Sequence, residues 1–389
     1  MNPAAAPKGD SIQPMRVLTI LGTRPEAVKL APVLHALQRT DRVASRLCVT
    51  GQHRQMLDPL LSFFHLQPDH DLAVMEDGQT PAQVAAAVLA GLEPVFARER
   101  PDWVLVQGDT TTASAAALGA YYARVRVGHV EAGLRTGDKW QPFPEEVNRR
   151  LVTAVADLHL APTVRAREHL LAEGIAPASI VVTGNPVIDA LYWTLAQPPR
   201  PAPALEAALA GTEGARVILV TAHRRENHGA PLERICGALR DLSARYGERL
   251  RIVYPVHLNP AVREPVQRLL GGVSGIALTP PLDYPELVRL LQRADLVLTD
   301  SGGLQEEAPA LGKPVLLLRE VTERPEAVEA GAARLVGTER GRIVAAVVRL
   351  LEDSDAYAQM ARAVSPYGDG HAAERIVAAL LGSPANGAL

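Results

Sequence analysis

Short apolar runs that alternate with longer helical patterns constrain this chain more than any other feature of its sequence. The runs are a few residues long, as expected of strands buried on both faces of a parallel sheet. They fall at 16–21, 46–50, 103–107, 125–130 and 158–161 in the first half, and at 216–221, 251–256, 296–299 and 315–318 in the second. Helical patterns such as 27–38 and 232–245 lie between them. The alternation predicts βαβ units on parallel sheets.

The length of the chain and one proline-rich stretch predict two domains. At 389 residues the chain is too long for one ordinary core and suits two of typical size. We expect a first doubly wound domain at 15–186 and a second at 187–369, preceded by a disordered tail at 1–14. The proline cluster at 198–203 favours an extended linker between the halves over packed structure.

Composition excludes several classes of partner. A content of 47% hydrophobic and 21% charged residues is that of a globular protein with a large core, and a net charge of −3 gives no electrostatic case for binding nucleic acid or an anionic membrane. No apolar run is long enough to span a bilayer, and the N-terminus lacks the apolar region of a secretory signal. Cys48 and Cys236 cannot form a disulfide framework. We therefore expect a cytoplasmic protein.

Polar residues follow six of the predicted strands, at the edge where open parallel sheets bind ligands. In the first half these segments are 22–26, 108–112 and 131–133. In the second half they are 223–226, 257–260 and 300–303. Three such segments in each half predict a ligand held in a cleft between two facing domains.

The segment after the first strand is typical of a helix start that binds an anion. Gly22 provides a tight turn and Pro25 a first helical position, so free backbone N–H groups would face the cleft. Arg24 and, one turn later, Lys29 could then meet the anion. The alternative is a helix cap with two solvated cations.

The segment after the strand at 296–299 predicts a diphosphate site. Ser301, Gly302 and Gly303 would let a diphosphate approach a helix that starts near Leu304. Glu307, one turn into that helix, is placed to accept hydrogen bonds from ribose hydroxyls. The alternative is that Ser301 is only a helix cap and Glu307 a surface residue. No G-x-G-x-x-G or Walker lysine pattern occurs, so neither a dinucleotide nor ATP is indicated.

Three carboxylates are candidates for acid–base chemistry. Asp109 and Glu131 follow two different strands at the same edge of the sheet, and Glu145 opens a helix together with Glu146. Acids grouped around one site can divide acid and base roles between them. Simpler explanations exist for some of them, because Asp109 could cap a helix and either glutamate at 145–146 could stabilise a helix dipole. Glu131 has no evident structural partner in the sequence.

Two histidines leave strands of the second half. His223 precedes Arg224 and Arg225, an electropositive setting that suits a departing diphosphate, and His257 lies in a similar position after its own strand. A packing or capping role is the alternative for both. No His/Cys/Asp cluster indicates a metal site, and the D-x-D spacing at 353–355 fits a turn and a helix cap.

These motifs together resemble the non-hydrolysing UDP-N-acetylglucosamine 2-epimerase family. The resemblance covers essentially all residues after 15, in order, through segments at 22–26, 107–110, 129–136, 144–149, 221–227, 254–260, 299–303, 312–315, 322–326 and 366–370. It implies a GT-B-like α/β fold, with two Rossmann-like doubly wound domains facing across a cleft, the second binding UDP. It further implies that a C-terminal helix at 370–389 crosses back to the first domain, and that the enzyme is a homodimer without a cofactor.

The resemblance also implies a reaction and its residues. Family members eliminate UDP to give a 2-acetamidoglucal and add it back after protonation on the other face of carbon 2. The positions that match catalytic groups are Asp109, Glu131, Glu145 and His223. Those that match UDP-binding positions are Arg24, Lys29, Ser301, Gly302, Gly303, Glu307 and Arg324. The product would supply surface polysaccharide synthesis.

A regulatory site is implied as well. Gln52, Gln55, Arg224 and His257 match an activator site for a second UDP-N-acetylglucosamine. Gly78 departs from the pattern, because members activated in this way carry an arginine there. We therefore expect weak or absent activation.

Other functions stay open on the sequence. The chain could act on a modified UDP-2-acetamido sugar, or bind a UDP-sugar as a catalytically silent sensor. A retaining GT-B glycosyltransferase would share the fold and UDP site, and a hydrolysing relative would release free N-acetylmannosamine. The three acids disfavour the glycosyltransferase and the sensor, and the match at 131–136 disfavours the hydrolysing relative.

Overall fold

The computed structural model describes residues 13–51, 54–74 and 78–382, which form two compact units. The first unit runs to Thr183 and includes the described residues from Ala373 onward. The second spans Gly184–Ala372, so the division falls slightly before the boundary expected at residue 186. Only part of the expected tail at 1–14 and of the expected final segment at 370–389 lies inside the described residues.

The first unit is a seven-stranded parallel sheet flanked by helices. Its strands are β1 Met15–Leu21, β2 Val43–Val49, β3 His70–Asp71, β4 Trp103–Gln107, β5 Arg126–Val130, β6 Leu158–Ala161 and β7 Ile180–Val182. Its helices are α1 Arg24–Gln38, α2 Arg54–Phe63, α3 Pro81–Glu99, α4 Thr111–Tyr122, α5 Glu145–Val155 and α6 Val164–Ala172. The strand order is β3-β2-β1-β4-β5-β6-β7, with every pair parallel.

The second unit repeats this architecture with six strands in the order β10-β9-β8-β11-β12-β13. Its strands are β8 Arg216–Thr221, β9 Leu250–Pro255, β10 Ile276–Thr279, β11 Leu296–Thr299, β12 Val315–Leu317 and β13 Ala333–Leu335. Its helices are α7 Pro186–Leu195, α8 Pro203–Leu209, α9 Ala230–Tyr246, α10 Pro260–Leu270, α11 Tyr284–Arg293, α12 Gly302–Ala310, α13 Pro325–Glu329, α14 Arg340–Glu352 and α15 Ser354–Ala361. The two-domain α/β class predicted from the sequence is therefore confirmed.

The last helix, α16 Ala372–Leu380, packs with the first unit from Ala373 onward. The Arg375 guanidinium donates to the Thr183 carbonyl oxygen over 3.2 Å, at the end of that unit's main segment. Ile376 is fully buried, and a methyl of Leu380 lies against Gly128 of β5. Helix α16 thus packs against the first sheet at β5.

Four strands of the structure were not predicted: β3, β7, β10 and β13. They are the edge strands of the two sheets. A central strand such as β4 is buried at all five positions and shows a continuous apolar run, whereas an edge strand is covered on fewer sides. Short segments such as β3 therefore carry little hydrophobic signal.

The prediction of an extended proline-rich linker between the halves was wrong. The segment lies inside the second unit, where α7 ends at Leu195 and α8 begins at Pro203. Residues 198–201 are exposed and form neither helix nor strand, whereas Ala202 and Leu205 are buried, so the cluster is a surface loop of the second unit that packs only at its end. Proline is compatible with the first turn of a helix because its missing N–H would have no partner there, and Pro203 occupies that position.

Gly133 brings the segment after β5 into direct contact with α6. Its φ is +89°, and an added Cβ would lie 2.2 Å from the carbonyl oxygen of Ala166. The Gly133 carbonyl oxygen is in turn 2.9 Å from Nδ1 of His169 on the same helix. Both observations indicate that no side chain fits at this position.

We predict that Gly133→Ala lowers the melting temperature much more than Gly174→Ala does. Gly174 ends α6 with φ +86° and has open space around its missing Cβ, so both variants carry the left-handed strain of about 1–2 kcal/mol. Only Gly133→Ala adds a clash, which costs a further ~1–3 kcal/mol and several degrees. Thermal unfolding followed by circular dichroism measures both, and equal losses would contradict the steric explanation.

Candidate active site

The ends of β4 and β5 bring two of the predicted carboxylates to one edge of the first sheet. Gln107 pairs with Val130 across these strands, and the Gly108 N–H donates to the Val130 carbonyl oxygen over 2.9 Å. Asp109 follows Gly108 just after β4, and Glu131 follows Val130 directly after β5. A Cβ added at Gly108 would lie 3.4 Å from Oε2 of Glu131, so glycine here lets that carboxylate approach the neighbouring backbone.

Glu131 is held by partners that the sequence did not reveal. It is buried, and its backbone adopts a left-handed φ of +65°. Nζ of Lys29 donates to both carboxylate oxygens, at 2.6 and 2.7 Å, and Nε2 of Gln107 donates to Oε2. Lys29, expected at the diphosphate, therefore meets the anion of Glu131 in this structure. A carboxylate with donors on both oxygens is fixed in orientation.

Asp109 is not the helix cap that the sequence allowed. Thr110 caps α4 instead, because its hydroxyl accepts from the Ala113 N–H over 2.9 Å. The Asp109 carboxylate pairs with the buried Arg149 guanidinium at 2.6 Å. Nδ2 of Asn148 donates to the Asp109 carbonyl oxygen over 2.9 Å. Two consecutive residues of α5 thus hold both the backbone and the side chain of Asp109.

Glu146 has a structural role. Its buried carboxylate accepts from the Thr136 N–H at 3.0 Å and from the Arg149 and Arg150 guanidiniums. Burial tends to raise the pKa of Glu146, but the hydrogen bonds from Thr136 and Arg149 and the Arg149 charge outweigh it and lower that pKa. Glu146 therefore fastens the segment after β5 to the start of α5.

Glu145 differs from its neighbour in having an unused oxygen. It is the first residue of α5 and half-buried, and within the described residues its buried Oε2 has no hydrogen-bond partner. Glu145 and Arg149 are four residues apart and so share a helix face, which directs Glu145 toward the side that holds Asp109. Asp109 and Glu131 thus follow neighbouring strand ends, and Glu145 opens the helix whose Asn148 and Arg149 hold Asp109.

The start of α1 is more self-contained than predicted. The Gly22 and Thr23 N–H groups, expected to be free, donate to buried Glu26 at 3.0 and 2.7 Å. Burial raises the pKa of Glu26, and hydrogen bonds from Thr110 and the backbone oppose that shift. Arg24 is exposed, and in the described part of the chain its guanidinium has no hydrogen-bond or ion-pair partner. Arg24 remains available to a ligand.

In the second unit, the ends of β8, β9 and β11 bring two histidines and an aspartate together. The rings of His223 and His257 stack, with centroids 5.3 Å apart and planes 14° apart. Nδ1 of His223 lies 3.6 Å from Oδ1 of the fully buried Asp300. Burial lowers the pKa of His223, Asp300 opposes this shift, and His257, Arg224 and His228 reinforce it.

The glycine-flanked helix start is present, two residues earlier than predicted. Helix α12 begins at Gly302, and the Ser301 side chain makes no capping bond. A Cβ on Gly302 would lie 2.7 Å from Nη1 of Arg324, so glycine admits this arginine beside the helix N-terminus. Glu307 accepts from the Tyr284 hydroxyl over 2.9 Å and is buried, not a surface residue.

Three arginines of the second unit surround one carboxylate. Oε1 of Glu323 accepts from Arg224 at 3.0 Å and from Arg324 at 2.9 Å, and Oε2 accepts from Arg319 at 2.6 Å. Burial alone would raise the pKa of Glu323, but the charges of Arg324, Arg224 and Arg319 lower it to about 2. Arg324 also pairs with Glu306. Glu323 lies in the matched segment at 322–326, from which only Arg324 was predicted as a site residue, and Arg319 lies in none of the matched segments.

The residues matched to an activator site are described only in part. Gln52 and the side chain of Gln55 lie outside the described residues. Arg224 binds Glu323, and His257 stacks on His223. Gly78 is exposed, with φ +79° and nothing within 4 Å of the position of a Cβ.

Among the described residues no group of three His, Cys, Asp or Glu side chains could hold a metal ion. The predicted cap at 353–355 is confirmed, since Asp353 accepts from the Asp355 and Ala356 N–H groups. No helix in the described ranges is both long and apolar enough to cross a membrane.

Known proteins resemble this chain over nearly its whole length. The sequence model of the UDP-N-acetylglucosamine 2-epimerase family matches residues 35–381. A UDP-N-acetylglucosamine 2-epimerase of Yersinia pestis is 52% identical over 371 residues, which cover 94% of this chain and 98% of that protein.

Solved structures also resemble this chain over nearly its whole length. The 2-epimerase of Neisseria meningitidis, solved with UDP-GlcNAc bound, has a TM-score of 0.87 and 44% identity over 95% of this chain and 100% of that one. S. aureus MnaA, solved with UDP, has the same TM-score and identity over 96% of this chain and 100% of that one. The chain belongs to the UDP-N-acetylglucosamine 2-epimerase family, a family of isomerases with a GT-B-like α/β fold.

Proposed function

We propose that this chain interconverts UDP-N-acetylglucosamine and UDP-N-acetylmannosamine by inverting carbon 2, without hydrolysis and without a redox cofactor. The observation that carries the proposal is the pairing of Asp109 with Arg149 on the helix that Glu145 opens, beside the strand end that carries Glu131. Arg149 and Asn148 link Asp109 to the helix that Glu145 opens, and the ends of two paired strands bring Asp109 and Glu131 side by side.

The proposed reaction eliminates UDP and adds it back. A carboxylate removes the proton from carbon 2, a double bond forms between carbons 1 and 2, and the electron pair of the carbon 1–oxygen bond leaves with UDP. A second acid then protonates carbon 2 of the 2-acetamidoglucal from the opposite face, and the phosphate oxygen adds back to carbon 1. The reaction consumes no water and transfers no hydride. The proton transfers at carbon 2 therefore require carboxylic acids but no redox cofactor.

The departing diphosphate needs positive charge and N–H donors. The exposed Arg24 and the start of α12 at Ser301, Gly302 and Gly303 are the groups we assign to it, with Arg324 beside Gly302 and His223 as the proton donor. The Neisseria and S. aureus neighbours, solved with UDP-GlcNAc and with UDP, support a UDP-linked substrate.

Glu307 is assigned to the ribose hydroxyls. Its Oε1 accepts from Tyr284, which orients the carboxylate at the start of α12.

Two alternatives stay testable. A modified UDP-2-acetamido sugar would use the same acids, and comparing substrates separates it from UDP-N-acetylglucosamine. A silent sensor would not require three acids in addition to a UDP site, and Glu145, whose Oε2 has no partner among the described residues, is the acid whose replacement tests this most directly.

We further infer a cytoplasmic homodimer that supplies surface polysaccharide synthesis. The inference follows the family resemblance, and the two buried free thiols of Cys48 and Cys236 suit a reducing compartment.

We predict that Asp109→Asn, Glu131→Gln and Glu145→Gln each lower kcat by at least ~10²-fold, the usual scale for a lost general acid or base. Arg24→Ala should chiefly raise KM. Initial rates with UDP-N-acetylglucosamine, read as UDP-N-acetylmannosamine formed, measure all four.

Glu146→Gln is the matched control for Glu145→Gln. Because the pKa of Glu146 is lowered on folding, its stabilisation is present above the unfolded pKa near 4.5 and is lost as pH falls through the folded value. Glu146→Gln should therefore lower the melting temperature at neutral pH and lower it less in acid, whereas Glu145→Gln should leave it unchanged. An active Glu145→Gln beside a stable, inactive Glu146→Gln would reverse the assignment.

We predict that the reaction in D₂O places deuterium on carbon 2 of the product, without added NAD or metal. The proton returned by a carboxylic acid exchanges with solvent, whereas a hydride carried by a cofactor would not. Mass spectrometry and proton NMR of the product decide it, and product that forms without deuterium would exclude elimination.

We predict that the reverse reaction, from UDP-N-acetylmannosamine, proceeds without added UDP-N-acetylglucosamine. Without an arginine at Gly78, a second nucleotide sugar loses a charged hydrogen bond of about 1.5–3 kcal/mol. Gly78→Arg should restore dependence on the activator, and Gly78→Ala controls for the strain at φ +79°. An absolute activator requirement in the unmodified protein would contradict this prediction.

A further inference from the structure

The two oxygens of the Asp300 carboxylate have very different surroundings. Oδ2 accepts three hydrogen bonds, from the His223 and Arg224 N–H groups at 2.8 Å each and from Nδ2 of Asn227 at 2.9 Å. Oδ1 is buried and, within the described residues, accepts no hydrogen bond. A buried carboxylate oxygen left without a donor is costly, so this asymmetry calls for a partner that arrives during function.

The nearest candidate donor is the imidazole of His223. Its Nδ1 lies 3.6 Å from Oδ1, which is within ion-pair range but too long for a hydrogen bond. Catalytic hydrogen bonds are often long before substrate binds and shorten in the complex. The backbone N–H of His223 already donates to Oδ2 of the same carboxylate. Only the imidazole ring therefore has to turn for Nδ1 to reach Oδ1.

Stacking keeps the ring in a suitable plane. The His257 ring lies nearly parallel to that of His223, and its Nδ1 accepts from the Asn259 N–H over 3.1 Å. The proton of a neutral His257 is therefore on Nε2, and its orientation is set independently of His223.

We propose that Asp300 is a positioning residue that holds the proton of His223 on Nδ1 and thereby presents Nε2 to the phosphate of the ligand. A carboxylate can only accept, so the nitrogen that faces Oδ1 has to be the one that carries a proton. Nε2 is then the position that takes up a second proton, and the negative charge of Asp300 stabilises the resulting imidazolium.

This arrangement gives His223 a defined part in the proposed epimerisation, on which the kinetic side of the inference rests. As the bond between carbon 1 and oxygen breaks, Nε2–H of the imidazolium gives its proton to the phosphate oxygen that takes the electron pair. When that oxygen adds back to carbon 1, the proton returns to Nε2 and the imidazolium is restored. Asp300 itself keeps its charge throughout and touches no reacting atom.

Nitrogen NMR of the imidazole rings tests the tautomer in the unaltered protein. With ¹⁵N-labelled histidine at a pH where His223 is neutral, long-range proton–nitrogen spectra should show the proton on Nδ1, with and without saturating UDP. The His223 signals are identified by their loss in His223→Asn. A proton on Nε2 in both states would overturn the proposal, even if the enzyme is active.

Asp300→Asn tests the consequence for catalysis. Three N–H donors demand an oxygen at the Oδ2 position, so the amide nitrogen has to face His223 and donate to Nδ1. That reverses the tautomer, and kcat should fall by at least ~10²-fold with KM little changed.

A double-mutant cycle distinguishes positioning from a general structural effect. In a His223→Asn background, Asp300→Asn should reduce kcat no further, because the residue through which it acts is already absent. Multiplicative losses would overturn the proposal. Asn227→Ala is the control, since it removes a donor from the same turn without facing the ring; a loss of kcat equal to that of Asp300→Asn would point to the turn alone.

The NMR test of the tautomer and the kinetic test of epimerisation can fail independently of each other. If the chain does not epimerise UDP-N-acetylglucosamine, the NMR spectra still decide whether Asp300 sets the tautomer. If the chain epimerises the substrate and the proton of neutral His223 is on Nε2, only the role proposed for Asp300 is excluded.

Discussion

Parallel strands buried on both faces confine charged side chains to the two edges of each sheet, and the candidate catalytic residues lie at the carboxyl edges. Strands such as β4 and β11 are buried along their whole length, with Asp102 and Asp295 directly before them and Asp109 and Asp300 just after them. A charge at such an edge is only partly hydrated, so it requires a partner within the fold. The candidate catalytic residues Asp109, Glu131 and His223 are accordingly each bonded or closely paired inside their own unit.

The partners differentiate carboxylates that look alike in the sequence. Glu131 has a lysine and an amide, Asp109 has an arginine, and Glu146 has backbone N–H groups and two arginines. Glu145 alone of these four keeps a buried oxygen without a donor among the described residues. Orientation fixed by such partners is what lets neighbouring acids serve as separate proton acceptor and donor instead of exchanging roles.

The sequence predicted the central strands to within three residues at either end, because continuous burial leaves a continuous apolar run. It missed all four edge strands, and it took a proline-rich loop of the second unit for a linker between the halves. The residue types of the candidate site were also readable, since they follow the strands. Their pairings were not: Lys29 and Glu131 are 102 residues apart, and His223 and Asp300 are 77 apart. Only the order and register of strands in the folded sheets bring such residues together, and no local pattern encodes them.

The arginines of the second unit show why pairing need not oppose binding. Arg224 and Arg324 share one oxygen of Glu323, so their long side chains are ordered before any ligand arrives. Ordering a flexible side chain on binding costs about 0.5–1.5 kcal/mol. Here that cost is met during folding and not when the ligand binds. Glu323 offsets one of these two charges, and Glu306 offsets the second by pairing with Arg324, so the pairs carry no surplus charge toward a diphosphate. In the second unit, the attraction for a diphosphate then comes from the N–H groups at the start of α12, beside which Arg324 is already held.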